Sequence, residues 1–184
     1  MFDNSGNIPY NMRRCPDEGT LDVRPILHAP GKSISFRFSS DFSDLDFGGR
    51  KPATQPVEVE GTVRNRADAL SLDLTVSTTL DAACDRCGKR FPLPKTTDFH
   101  CLLAESVEED DNDEIVLLQD GKVDVGELAR AAFILDMDTR TLCSEDCKGL
   151  CPRCGANLNE GPCGCKPEPD PRWAALSALL DAPQ

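Results

Sequence analysis

The chain has 184 residues, enough for one sizeable core and a small appendage. With 39% hydrophobic and 5% aromatic residues, its core has to be built mainly from Leu, Val and Ala, and a formal charge of -12 argues against a broad electrostatic grip on nucleic acid. No run approaches the roughly 20 apolar residues of a membrane span, and Met1 to Thr20 has no apolar signal-peptide centre, so a cytoplasmic chain is expected.

In chain order, residues 1–19 mix Asn, Gly, Pro and Arg without periodicity and read as a flexible arm. Leu21, Val23, Ile26 and Leu27 give a short apolar anchor. Ile34, Phe36 and Phe38 alternate with polar residues, as in a strand. Ser39 to Pro56 is rich in Asp, Ser, Gly and Pro and is expected to be a loop with at most one helical turn. Val57, Val59 and Val63, then Leu70, Leu72, Leu74, Val76 and Leu80, repeat at period two, and Asn65 to Ala69 connects them as an antiparallel hairpin. Thr97, Phe99, Cys101 and Leu103 form a third strand after Phe91-Pro92-Leu93-Pro94, a stretch suited to an edge or a turn.

Seven of the ten residues from Glu105 to Glu114 are acidic, which predicts a solvated loop. Ile115 to Leu118 reads as a buried strand ended by the Asp120-Gly121 turn. Asp124 and Glu127 then make a capping-box pattern ahead of Val125, Leu128, Ala129, Ala132 and Phe133 on one helical face. Beyond Cys143 the composition shifts to Cys, Gly and Pro, and Asp170-Pro171 opens a helix with Trp173, Leu176 and Leu180 on one side. The expected organisation is therefore an arm at 1–19, a core domain at 20–142 with the acidic loop 105–114, a cysteine-rich zinc module at 143–168, and a terminal helix and tail at 169–184. The expected fold class is α+β: an antiparallel β-sheet with one or two packed helices and a small C-terminal zinc-ribbon-like module.

The cysteines carry the chemistry. A cytoplasmic chain with 10 of them is better suited to metal than to disulfides. Cys84-Asp-Arg-Cys87-Gly88 and Cys151-Pro-Arg-Cys154-Gly155 are both knuckle patterns, two thiols three apart followed by a glycine that lets the backbone turn beneath an ion. Cys143, Cys147, Cys163 and Cys165 supply the remaining halves of two four-cysteine zinc sites. The favoured pairing makes Cys151, Cys154, Cys163 and Cys165 a self-contained ribbon and gives Cys143 and Cys147 to Cys84 and Cys87. That pairing would staple the C-terminal module to the strand hairpin. A clustered C-terminal site that leaves Cys84 and Cys87 as free thiols is the alternative. Eight thiolates and two Zn²⁺ would move the charge from -12 to about -16. Cys15 and Cys101 have no partners and are read as non-ligands.

Four-cysteine sites are closed, and His28 and His100 stand apart from every cysteine pair, so no catalytic constellation is expected. The candidate nucleic-acid residues are Arg86, Lys89, Arg90 and Lys95, set against one acid, Asp85. Between Arg140 and Arg172 five basic residues meet five acidic ones, a neutral and poor footprint for nucleic acid. A redox role for a CxxC pair is the alternative class, since Arg86 beside Cys87 could lower a thiol pKa.

Val57-Glu-Val-Glu-Gly61, Val76-Ser-Thr-Thr-Leu80, Cys84-Asp-Arg-Cys87 and Asp124-Val-Gly-Glu-Leu128 resemble the YceD family, named for large ribosomal RNA subunit accumulation. The run Cys143-Ser-Glu-Asp-Cys147-Lys-Gly-Leu-Cys151-Pro-Arg-Cys154-Gly-Ala-Asn157-Leu-Asn159, with Cys163-Gly-Cys165 and Asp170-Pro-Arg172, is similar to the cysteine-rich tail that many members carry. Gly88 departs from the pattern, standing where many members have Leu. The resemblance covers about residues 20 to 181. It implies a non-catalytic cytoplasmic factor in ribosome assembly or ribosomal RNA maturation. The expected partners are ribosomal RNA or a basic large-subunit ribosomal protein, with no membrane and no small-molecule substrate.

Overall fold

The structure, a computed structural model, describes the backbone of residues 12–13 and residues 19–67, 69–106 and 115–165. These fall into two compact units, one from the described residues of Met1–Ala82 and Arg90–Thr141, the other from those of Ala83–Lys89 and Leu142–Gln184. The terminal helix expected after Asp170 and most of the acidic loop lie outside the described residues.

The first unit is built on a mixed, mostly antiparallel sheet. Its strands are β1 (Met12–Arg13), β3 (Ser33–Ser40), β4 (Val57–Arg66), β5 (Ala69–Ala83), β6 (Arg90–Ala104) and β7 (Ile115–Leu117), adjacent in that order. β3, β4 and β5 are antiparallel neighbours, whereas β1 runs parallel to β3 and β7 parallel to β6. A second ribbon pairs β2 (Thr20–Asp22) with β8 (Lys122–Asp124). The helices are α1 (Arg24–Leu27) and α2 (Val125–Leu135).

Period-two alternation decides which face is buried. Ile34, Phe36, Val57, Val59, Val63, Leu70, Leu72, Leu74, Val76 and Leu80 all point to the core, joined there by Leu21, Val23 and Ile26. The opposite face is polar: Ser35 and Thr62 hydroxyls meet at 3.0 Å, Asp73 accepts from Arg64 and lies 2.8 Å from His100 Nδ1, and Thr75 donates to Asp98 at 2.7 Å. At the start of α2, Asp124 Oδ1 accepts from the Glu127 amide at 2.9 Å, and Val125, Ala129, Ala132 and Phe133 are buried.

Three elements add to or depart from the expectations. The segment after Ser40 is the expected loop, with one turn in which Leu45 N donates to Phe42 O at 3.0 Å, and it also closes the core: Phe42 and Phe47 pack on Phe133 at 5.4 and 6.4 Å between ring centres, and Arg130 pairs with Asp44. β6 begins at Arg90 and runs through Pro92 and Pro94. Ala104 O accepts from Leu118 N, on the β7 side of β6; backbone alternation puts both proline nitrogens on that same side, beyond the three residues β7 pairs with, where no ladder donor is needed. β7 is a short sheet-edge strand rather than a buried one, with Leu117 53% exposed.

Asn65 occupies a core-facing position in β4 and is 1% exposed. Its Nδ2 donates to the carbonyls of Ile26 (2.7 Å), which also accepts from Ala29 N at 3.1 Å, and of Leu27 (2.9 Å), at the C-terminal end of the single turn of α1.

Candidate metal centres

Among its described residues, the second unit contributes none to the apolar core, and the buried hydrophobic ones are Cys84, Cys87, Cys147 and Cys151. Apolar burial this slight does not by itself order the described residues of the unit.

Its sulfurs form two groups. Those of Cys84, Cys87, Cys143 and Cys147 lie within 4.8 Å of one another, as do those of Cys151, Cys154, Cys163 and Cys165. Within the first group Cys84 faces Cys147 and Cys87 faces Cys143, each pair at 3.7 Å. Four metal–sulfur bonds of about 2.3 Å in a tetrahedron put the sulfurs about 3.8 Å apart, so the donor set fits a four-coordinate ion. Cys84 and Cys87 are thus gathered with Cys143 and Cys147 rather than left as an isolated pair.

The local backbone explains how each knuckle forms. Cys84 N donates to Lys89 O (2.9 Å) and Gly88 N to Cys84 O (2.8 Å); Cys151 N donates to Ala156 O (2.8 Å) and Gly155 N to Cys151 O (2.9 Å). The two knuckles share one hydrogen-bond pattern, and Gly88 and Gly155 both have φ near +70° (71° and 70°), the left-handed conformation that side chains disfavour. Arg86 braces the first group by donating to Cys147 O (2.7 Å) and Glu145 O (3.3 Å).

The thiols are electrostatically uneven. Amide hydrogen bonds, led by that of Cys143, bring Cys84 down to about 6, and those of Cys154 and Arg153 do the same for Cys151. The Asn159 carboxamide lowers Cys147. Burial, followed by neighbouring thiols, raises Cys143 to about 12, and the bond with Cys154 raises Cys165 to about 12. Donors aimed at sulfur favour thiolate, the form that binds metal. Cys101, in the sheet core, belongs to neither group, and burial pushes its thiol up to about 11.

The basic candidates are largely engaged. Arg86 holds the backbone near Cys147, Arg90 pairs with Asp81 at 2.8 Å, and Lys95 pairs with Asp136 at 2.9 Å and Asp138 at 3.7 Å. Of the four, Lys89 alone has neither a side-chain ion pair nor a side-chain hydrogen bond among the described residues, and Arg86 and Lys89 belong to the second unit while Arg90 and Lys95 belong to the first. His28 is exposed and His100 contacts Asp73, so neither joins a cysteine group. The residue that sequence reasoning missed is Asn159, whose Nδ2 lies 3.4 Å from Cys147 Sγ. Its signal was its place in the Asn157-Leu-Asn159 run between the cysteines of the second group.

A sheet protein carrying two four-cysteine groups able to hold metal ions is the class that this geometry defines. The family model described as large ribosomal RNA subunit accumulation protein YceD matches residues 72–180, a span containing all eight clustered cysteines, and the chain belongs to the YceD family. A Zea mays protein named large ribosomal RNA subunit accumulation protein YCED homolog 1, chloroplastic, is 30% identical over 155 residues, covering 67% of this chain and 53% of its own length. The Arabidopsis thaliana protein of the same name is 29% identical over 183 residues, covering 83% and 55%. An uncharacterized protein of Mycobacterium tuberculosis is 27% identical over 184 residues, covering 94% and 86%. The chain thus spans about half the length of the plant relatives. No solved structure gives a significant match. Among the described residues no helix is long and apolar enough to cross a membrane.

Proposed function

We propose that the chain is a non-catalytic, cytoplasmic factor of ribosome biogenesis that supports accumulation or maturation of large-subunit ribosomal RNA. The observation that carries this reading is the family match across residues 72–180. In this reading Cys84, Cys87, Cys143 and Cys147 hold one structural zinc ion and Cys151, Cys154, Cys163 and Cys165 a second, the ions supplying order that the described residues of the second unit do not gain from an apolar core. Each centre has four sulfurs and no open position for substrate, which favours a binding role over catalysis. Its domain organisation in this reading is a sheet domain and a ribbon-like zinc module, which the division into two compact units supports.

The partner we favour is a basic large-subunit ribosomal protein. A charge of -12 attracts such a protein, whereas three of the four candidate RNA-binding side chains already have acceptors within the chain. Cells lacking the chain are expected to show a reduced ratio of large- to small-subunit ribosomal RNA, restored by the wild-type chain and not by Cys84→Ser. An unchanged ratio overturns the function. For the partner, Lys89→Ala with Arg90→Ala is expected to leave binding to a ribosomal RNA fragment unaltered. A fall in affinity with a flatter salt dependence restores the RNA version.

A thiol-based redox or zinc sensor is the second reading, favoured by the exposure of Cys154 and Cys165. It predicts that mild peroxide releases metal from the second group and changes partner binding; retention of both ions counts against it.

A further inference from the structure

The two cysteine groups are interleaved along the chain. Cys143 and Cys147 belong to the first, Cys151 and Cys154 to the second; then residues 157–159 return to the first before Cys163 and Cys165 complete the second. The return is a built contact. Leu150 and Asn157 form an antiparallel bridge, Leu158 N donates to Gly149 O at 2.9 Å, and Lys148 N donates to Asn159 Oδ1 at 2.8 Å. Asn159 Nδ2 reaches both Cys147 Sγ (3.4 Å) and Asn157 Oδ1 (2.8 Å), and Asn157 Oδ1 also accepts from Asn159 N at 3.1 Å.

We propose that Asn159 is a positioning residue that couples the two metal centres: filling the second centre holds its carboxamide on Cys147 and thereby tightens metal binding at the first. The proposal rests on the reading of both groups as metal centres.

Two physical effects carry it. A donor aimed at a ligating sulfur disperses thiolate charge and fixes the sulfur's direction, and removing such an outer hydrogen bond typically weakens metal binding about 10- to 100-fold. Because Asn159 is exposed to competing water, the lower end of that range applies, about tenfold. The second effect is chain closure. Residues 157–159 lie between Cys154 and Cys163, and an ion bound to both restricts that loop, so the entropy lost in placing Asn159 on Cys147 is already spent when the second centre is full. Linkage requires the reverse effect to be equal, so a filled first centre also tightens the second.

The test is titration of the metal-free full chain with cobalt(II), followed through the thiolate-to-cobalt charge-transfer absorption in competition with a chelator of known affinity. Wild type is expected to take up two ions cooperatively. Cys163→Ser, which cripples the second centre, is expected to weaken the first about tenfold. Asn159→Ala is expected to weaken the first centre by a similar factor and to abolish the cooperativity. Added to Cys163→Ser, Asn159→Ala is expected to have almost no further effect, because the coupling it transmits is already gone. Asn159→Asp, which keeps the acceptor for Lys148 N but loses the donor, is expected to behave like Asn159→Ala. Two ions bound independently, or an Asn159→Ala loss of equal size with and without Cys163→Ser, overturns the coupling while leaving the metal centres standing. Failure of wild type to bind cobalt at all overturns the metal reading and the coupling with it.

Discussion

The two units reach order by opposite means. In the sheet unit the largest fully buried side chains include Phe36, Phe133, Leu72 and Leu74, whereas among the described residues of the cysteine unit the buried hydrophobic ones are Cys84, Cys87, Cys147 and Cys151. An apolar core gains stability from every methylene removed from water and tolerates moderate substitution. A core of thiols depends on what joins the sulfurs, and losing one ligand threatens the whole unit.

That contrast can be broken or sharpened by experiment. Removing metal with a strong chelator is expected to have the largest effect, since structural zinc contributes on the order of 10 kcal/mol to such modules. Amide hydrogen exchange should rise through residues 83–89 and 142–165 while Val57–Arg66 stays protected; persistent protection of the cysteine unit would mean that packing alone holds it. Phe133→Ala, which empties the contact with Phe42 and Phe47, is expected to destabilise the sheet unit by about 3–5 kcal/mol in denaturant unfolding and to leave metal content unchanged. Asn65→Ala strips the amide from the Ile26 and Leu27 carbonyls and should destabilise the same unit by about 1–3 kcal/mol.

The smallest effect is expected at Asp22. The hydrogen bond from the Arg24 guanidinium holds its carboxyl at about 2, below its ordinary 3.8. A depressed folded value stabilises the fold above the ordinary value, and that contribution disappears as pH falls from about 4 towards about 2. Solvent screens this partly exposed pair, so Asp22→Asn should lower stability at pH 7 by only a few tenths of a kcal/mol and flatten that part of the acid limb.

What could be read from the sequence follows the same division. Alternation at Val57, Val59 and Val63 and from Leu70 to Leu80 exposed the hairpin, because one-sided burial imposes period two. The cap at Asp124 marked α2 for an equally local reason. Hidden were contacts between distant residues: Phe42 and Phe47 sit in a stretch whose Asp, Ser and Gly content reads as loop, and nothing near Asn65 announces that it serves α1. The cysteine types and spacing were legible, but six cysteines within 143–165 allowed several groupings that only chain geometry separates. Counting charges around Cys87 likewise could not reveal that Asp136 and Asp138 engage Lys95 or that Arg86 turns to the Cys147 carbonyl.

The most direct test of the central claim is elemental analysis of chain purified without added metal, repeated for Cys84→Ser and Cys163→Ser. The account predicts two zinc ions per wild-type chain and one in each variant. A wild-type chain without zinc, or a zinc content unchanged by either substitution, would contradict it.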